Sequence, residues 1–165
     1  QLMENVDEFL TRIPGRNSVS FIITYNNLSV TSLDLLLKDI LRLRQKHSTT
    51  YQRVWFDVPL LRQPTWQQIT LLPESYQSIH EQNIEYMRQH QENTDLERKD
   101  YAVFKDFEIQ KMLRNLAYWR KHAENNNVQK KNFYAFFSER DRRRLTSFEQ
   151  TFPEMQEFWQ ECKKL

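Results

Sequence analysis

Apolar residues recur along this chain with two different periods. In residues 2–13, Leu2, Val6, Phe9, Leu10 and Ile13 fall at helical spacing, and Pro14-Gly15 ends the run. Residues 18–25 (SVSFIITY) are β-branched and aromatic, which predicts a short buried strand. Thr31 and Asp34 have capping-box character, and Leu33, Leu36, Leu37, Ile40 and Leu43 then mark one face of a helix to about His47. Arg53 to Val58 (RVWFDV) predicts a second strand, ended by Pro59. Residues 59–72 show no period and read as a long ordered loop anchored by Leu60, Leu61 and Trp66.

Helices are predicted for the rest. Pro73 suits a first helical turn, with Glu74 near its positive end, and this helix should run to about His90 with Tyr76, Ile79, Asn83 and Met87 on one side. Residues 91–102 are polar and expected to be mobile. Ile109, Met112, Leu113 and Leu116 share a face between Phe104 and Ala123. Asn125-Asn126-Asn127 breaks that helix, and Phe133, Phe136 and Phe137 mark another to about Arg144. Thr151 and Glu154 frame Pro153 as a second capping box, before Met155, Phe158, Trp159 and Cys162 line a last helix.

The order α-β-α-β followed by about four helices predicts an α/β fold with parallel strands. Two parallel strands leave faces and edges that need cover. The expected architecture is therefore an incomplete parallel (β/α) barrel half over residues 1–90, two strands with flanking helices, and a mainly helical C-terminal extension over residues 91–165. The remaining strands are expected on the N-terminal side, and a first residue that is Gln rather than Met points the same way.

Composition narrows the function classes. Eleven Phe, seven Tyr and four Trp can fill a core. The 24 Lys and Arg balance 22 Asp and Glu, and a net charge of +2 argues against nucleic acid or a membrane surface as partner. No apolar run approaches the ~18 residues of a membrane helix, and residues 1–13 lack the apolar region of a secretory leader, so the expected setting is cytoplasmic. A single Gly, Gly15, excludes a phosphate-binding glycine loop within these residues. A single Cys, Cys162, excludes an intrachain disulfide, a cysteine-rich zinc site or a self-contained iron–sulfur site.

Candidate binding chemistry gathers at the strand ends. Thr24, Asn26 and Asn27 follow the first strand and Asp57 ends the second, and ligands of open α/β sheets bind beyond the carboxyl ends of strands. The two Asn side chains suit a ribose or an amide, or simply make the turn. Asp57 suits a hydroxyl or a cation, or an ion pair with Arg53 or Arg62. Arg140, Arg142, Arg143 and Arg144 surround Asp141, either as phosphate-binding forks or as a solvated or domain-docking face. His47, His80, His90 and His122 have no metal-ligand spacing, and Cys162 lies on an apolar stripe as a core residue. No catalytic or metal-ligating residue is assigned.

Five segments, taken in order, resemble a known family: Phe21 to Val30 (FIITYNNLSV), Val54 to Arg62 (VWFDVPLLR), Leu71 to Tyr76 (LLPESY), Phe136 to Arg144 (FFSERDRRR) and Thr151 to Met155 (TFPEM). Together they resemble the C-terminal part of twitch-domain radical S-adenosylmethionine proteins of phage and bacterial type. The resemblance implies a partial (β/α)6 barrel, in which a three-cysteine loop holds a 4Fe–4S cluster that reductively cleaves S-adenosylmethionine. It implies that residues 18–25 and 53–58 are the last two barrel strands, with Thr24 and Asn26 near the adenosine and Asp57 at the barrel mouth. The cysteine loop is absent from these residues. The chain alone is therefore expected to carry no cofactor and to be inactive, and its implied partner is the N-terminal barrel portion of the same protein. The implied substrate is a peptide or a small molecule. The alternative is a non-enzymatic helical protein-interaction module, such as a phage accessory protein.

Overall fold

A computed structural model describes residues 1–92 and 100–165. The expectation of mobility over 91–102 falls largely on residues 93–99 and lies outside the described residues.

The chain forms α1 (Leu2–Arg12), β1 (Val19–Ile22), α2 (Leu33–His47) and β2 (Val54–Asp57), then α3 (Gln77–Gln89), α4 (Asp106–His122), α5 (Asn127–Arg144), the single turn α6 (Phe148–Thr151) and α7 (Gln156–Lys163). It is a mainly helical α/β fold with one two-stranded parallel sheet among the described residues. Val19, Ser20, Phe21 and Ile22 stand opposite Val54, Trp55, Phe56 and Asp57. A single apolar cluster runs from Leu10 to Cys162 and draws on both strands and on α1 to α7. Leu33, Leu37, Ile40 and Leu43 bury the predicted face of α2, and Met155, Phe158, Trp159 and Cys162 bury that of the C-terminal helix. Around Phe133, the rings of Phe137, Phe148, Phe158 and Trp159 pack in edge-on and tilted pairs.

The sheet departs from the buried strand predicted for residues 18–25. Val54 and Phe56 point into the core, but the opposite face carries Ile22, 74% exposed, and Trp55, 40% exposed. The regular ladder also stops at Ile22, and only an isolated bridge between Tyr25 and Leu60 continues it.

Both predicted capping boxes are corrected. A 3-10 turn, Val30–Ser32, leads into α2, and the Thr31 hydroxyl donates to Glu154 Oε1 at 2.8 Å instead of capping. Glu154 is thereby taken from the second box, Thr151 bonds back to the Ser147 carbonyl, and Ser147 caps α6. The helix predicted from Phe133 begins earlier, at Asn127, because the Asn126 side chain accepts from the Gln129 N–H.

Two buried arginines join the helices to the sheet. Arg44 and Glu108, with side chains 0% and 1% exposed, form a two-pronged pair, and Arg44 also donates to the Val54 and Val103 carbonyls. Arg53 donates to the carbonyls of Leu10, Ile13 and Asn17, tying α1 and the following turn to the start of β2.

Candidate functional site

The carboxyl ends of the two strands are held by bonds from distant helices. Tyr25, fully buried, donates its hydroxyl to His80 Nδ1 at 2.5 Å, and His80 Nε2 donates to the Met112 carbonyl at 2.9 Å. Burial raises the Tyr25 phenol well above its ordinary range and lowers His80, so the relay is a neutral phenol and a neutral imidazole. It anchors the end of the first strand segment to α3 and α4.

The four predicted site residues are brought to this end of the sheet, in different roles. Asn26 makes the turn: its Oδ1 accepts from the N–H groups of Leu28 and Ser29, and its Nδ2 donates to the Thr24 carbonyl. Asn27 is fully buried and joins the two strand-end loops, since its Nδ2 donates to the Trp66 carbonyl and its N–H to the Gln67 carbonyl. Thr24 is exposed. Asp57 accepts from its neighbour's N–H, at Val58, and pairs with Lys111 at 3.2 Å. The arginine pair offered as one reading of Asp57 is thus corrected, because Arg53 is spent on the carbonyls of Leu10, Ile13 and Asn17 and the Arg62 guanidinium lies over the Tyr118 ring, 4.3 Å from its centroid.

Beside the joined loops lies an open groove of about 780 Å³. Leu28 and Gln67 form its sheet side, Phe136, Arg140, Arg143 and Arg144 its α5 side, and Phe152 reaches in from beyond α6. The Phe136 ring rests on Trp66 with centroids 4.4 Å apart. Glu139, on the same rim, bridges Arg142 and Arg143, whose hydrogen bonds hold its carboxyl at about 2. The sequence offers the Arg140 to Arg144 cluster with nearby aromatics but not the groove they share with Leu28, Gln67 and Phe152. The detectable signal is the spacing of Phe136, Arg140, Arg143 and Arg144, which places all four on one helical face.

The open edge of the sheet is the other unusual surface. Val19 donates to the Arg53 carbonyl and Ile23 to the Asp57 carbonyl, so alternate residues of β1 turn toward β2. Ser20 and Ile22 turn away, and no described group bonds their backbone N–H or C=O. On the far side of β2 two carbonyls are met, Val54 O by Arg44 and Gln52 and Val58 O by Asn115, while the backbone of buried Phe56 between them has no partner among the described residues. Among the described residues no three His, Cys, Asp or Glu side chains converge as a metal site, and no helix is long and apolar enough to cross a membrane. Comparison with protein-family models, with curated proteins and with solved structures finds no match to this chain.

Proposed function

We propose that this chain supplies two neighbouring strands and the helical cover of a parallel α/β enzyme of the radical S-adenosylmethionine class, and that it is not catalytic alone. The asymmetry of the sheet carries this reading. The outer edge of β2 is met at Val54 and Val58 by side chains from α2 and α4, as at the last strand of an open barrel, whereas the outer edge of β1 and the Ile22–Trp55 face carry no such bonds and would take a neighbour. Further strands would add beside β1. The resemblance of the five motif segments supplies the enzyme class.

The residues present do not fit the cluster. A single buried cysteine cannot supply three thiolates, and Asn26 already spends its side-chain oxygen on its own turn. No chemical step is assigned to this chain; its part is to complete a wall, exclude water and position what binds at the strand ends.

The test compares this chain with a form extended N-terminally through any upstream frame that carries a CxxxCxxC segment, after anaerobic iron–sulfur reconstitution. Four-iron absorption and 5′-deoxyadenosine are expected only from the extended form, and Ile22→Lys should abolish both by charging the docking face. A cluster in neither form, with a monodisperse and cooperatively folding short chain, would overturn the reading in favour of a helical protein-interaction module.

A further inference from the structure

We infer that the groove between α5 and the two strand-end loops binds a phosphate-bearing small molecule with a planar ring, in its simplest form a nucleoside phosphate. This goes beyond the proposed enzyme class and needs no cluster.

The anion side rests on Arg140 and Arg144. Arg140 Nη1 is buried and has no hydrogen-bond partner among the described residues. Its nearest carboxylate, Asp141, lies 3.9 Å away and is already engaged by the Phe148 N–H and the Thr146 hydroxyl. The Arg140 side chain is 32% exposed and lines the groove, so its accessible N–H groups can meet an entering anion. Arg144 makes no ion pair among the described residues, and it follows Arg140 by one helical turn. Glu139 is the one acidic group lining the groove, and its charge is offset by Arg142 and Arg143. The groove is therefore positive where α5 ends.

The ring side rests on Phe136. It is 47% exposed yet fixed against Trp66, so a flat apolar surface is held ready beside the guanidinium groups. Phe152 and Leu28 continue that surface. The volume of about 780 Å³ accommodates a nucleotide-sized ligand. The position, alongside the loops that leave the carboxyl ends of the strands, is where parallel α/β folds bind ligands.

The experiment measures binding of ATP, adenosine and inorganic tripolyphosphate to the full chain by calorimetry. ATP is expected to bind more tightly than either part. The double variant Arg140→Gln/Arg144→Gln should weaken ATP and tripolyphosphate by about 10- to 100-fold, from the loss of two charge-assisted contacts. Phe136→Leu should weaken ATP by about fivefold or more while leaving tripolyphosphate unchanged. Lys131→Gln removes the same charge from an exposed position of the same helix outside the groove and should change neither. Thermal melts establish that each variant is folded. Equal losses in Lys131→Gln, indifference to Arg140→Gln/Arg144→Gln, or no ATP binding at all would overturn the inference. Much tighter binding of a short single-stranded oligonucleotide than of ATP would also overturn it, in favour of a strand-binding surface.

Discussion

Replacing Arg44 by Met should be among the most damaging single changes in this protein. The guanidinium is fully buried and makes four hydrogen bonds: Nε to Val54 O at 3.0 Å, Nη1 to Val103 O at 3.0 Å and to Glu108 Oε2 at 2.9 Å, and Nη2 to Glu108 Oε1 at 2.6 Å. Met fills much of the same space between the Phe56 and Phe104 rings, so the loss is mostly polar. It strands a carboxylate that is 1% exposed, with the Lys105 N–H as its one remaining described donor. Breaking a buried pair from one side costs about 3–5 kcal/mol. In Arg44→Met/Glu108→Leu neither charge remains, and the residual cost is the Val103 carbonyl, which Arg44→Met also leaves unmet, and the Lys105 N–H, about 1–3 kcal/mol each, whereas the single variant carries the stranded charge in place of the second. Val54 O keeps its bond from Gln52. The double variant should therefore be more stable than the single one, despite carrying more changes. Urea unfolding followed by tryptophan fluorescence gives both numbers, with a constant m-value certifying that two-state unfolding holds. A loss below about 1 kcal/mol in Arg44→Met, or a double variant less stable than the single, would show that this pair is not the buried bridge between β2 and α4 described above.

Two further outcomes follow from the titratable groups. Asp7 is held at about 2, against an ordinary 3.8, by its hydrogen bonds with His47 and then Lys46. A carboxyl depressed in this way contributes stability that is complete above about pH 4 and is lost as pH falls through about 2; Asp7→Asn should flatten that part of the acid melting curve, and an unchanged slope would contradict the contact. The Cys162 thiol is pushed up to about 12 by burial. It should react with a disulfide reagent at pH 8 only after urea unfolding, and prompt reaction in the native protein would place Cys162 outside the core.

The amphipathic faces were legible from spacing alone. Leu33, Leu37, Ile40 and Leu43 needed nothing but the helical period, and the buried stripe from Met155 to Cys162 followed in the same way. Helix starts were less legible, because a competing tertiary bond decided them. Thr31 looks like a cap until Glu154, 123 residues away, takes its hydroxyl. The first turns of α5 read as polar because Lys130 does not look like a core residue, yet it is buried with Asn125 and Glu161 as partners. Among the site residues, the turn-forming alternative for Asn26 holds, since the bonds that define an Asx turn reach only two and three residues along the chain. The groove was out of reach for the opposite reason. Its walls come from Leu28, Gln67, Phe136 and Phe152, and only the folded loops bring these together.

Arg53 reverses the order in which the chain is written. By itself an 11-residue helix is marginal in water, and α1 lacks a side-chain cap at its N-terminus. The carbonyls that its last turn leaves open, with those just beyond, are answered by a guanidinium some 40 residues later. The helix α1 should therefore be among the last elements to consolidate, waiting for the strand that carries its latch.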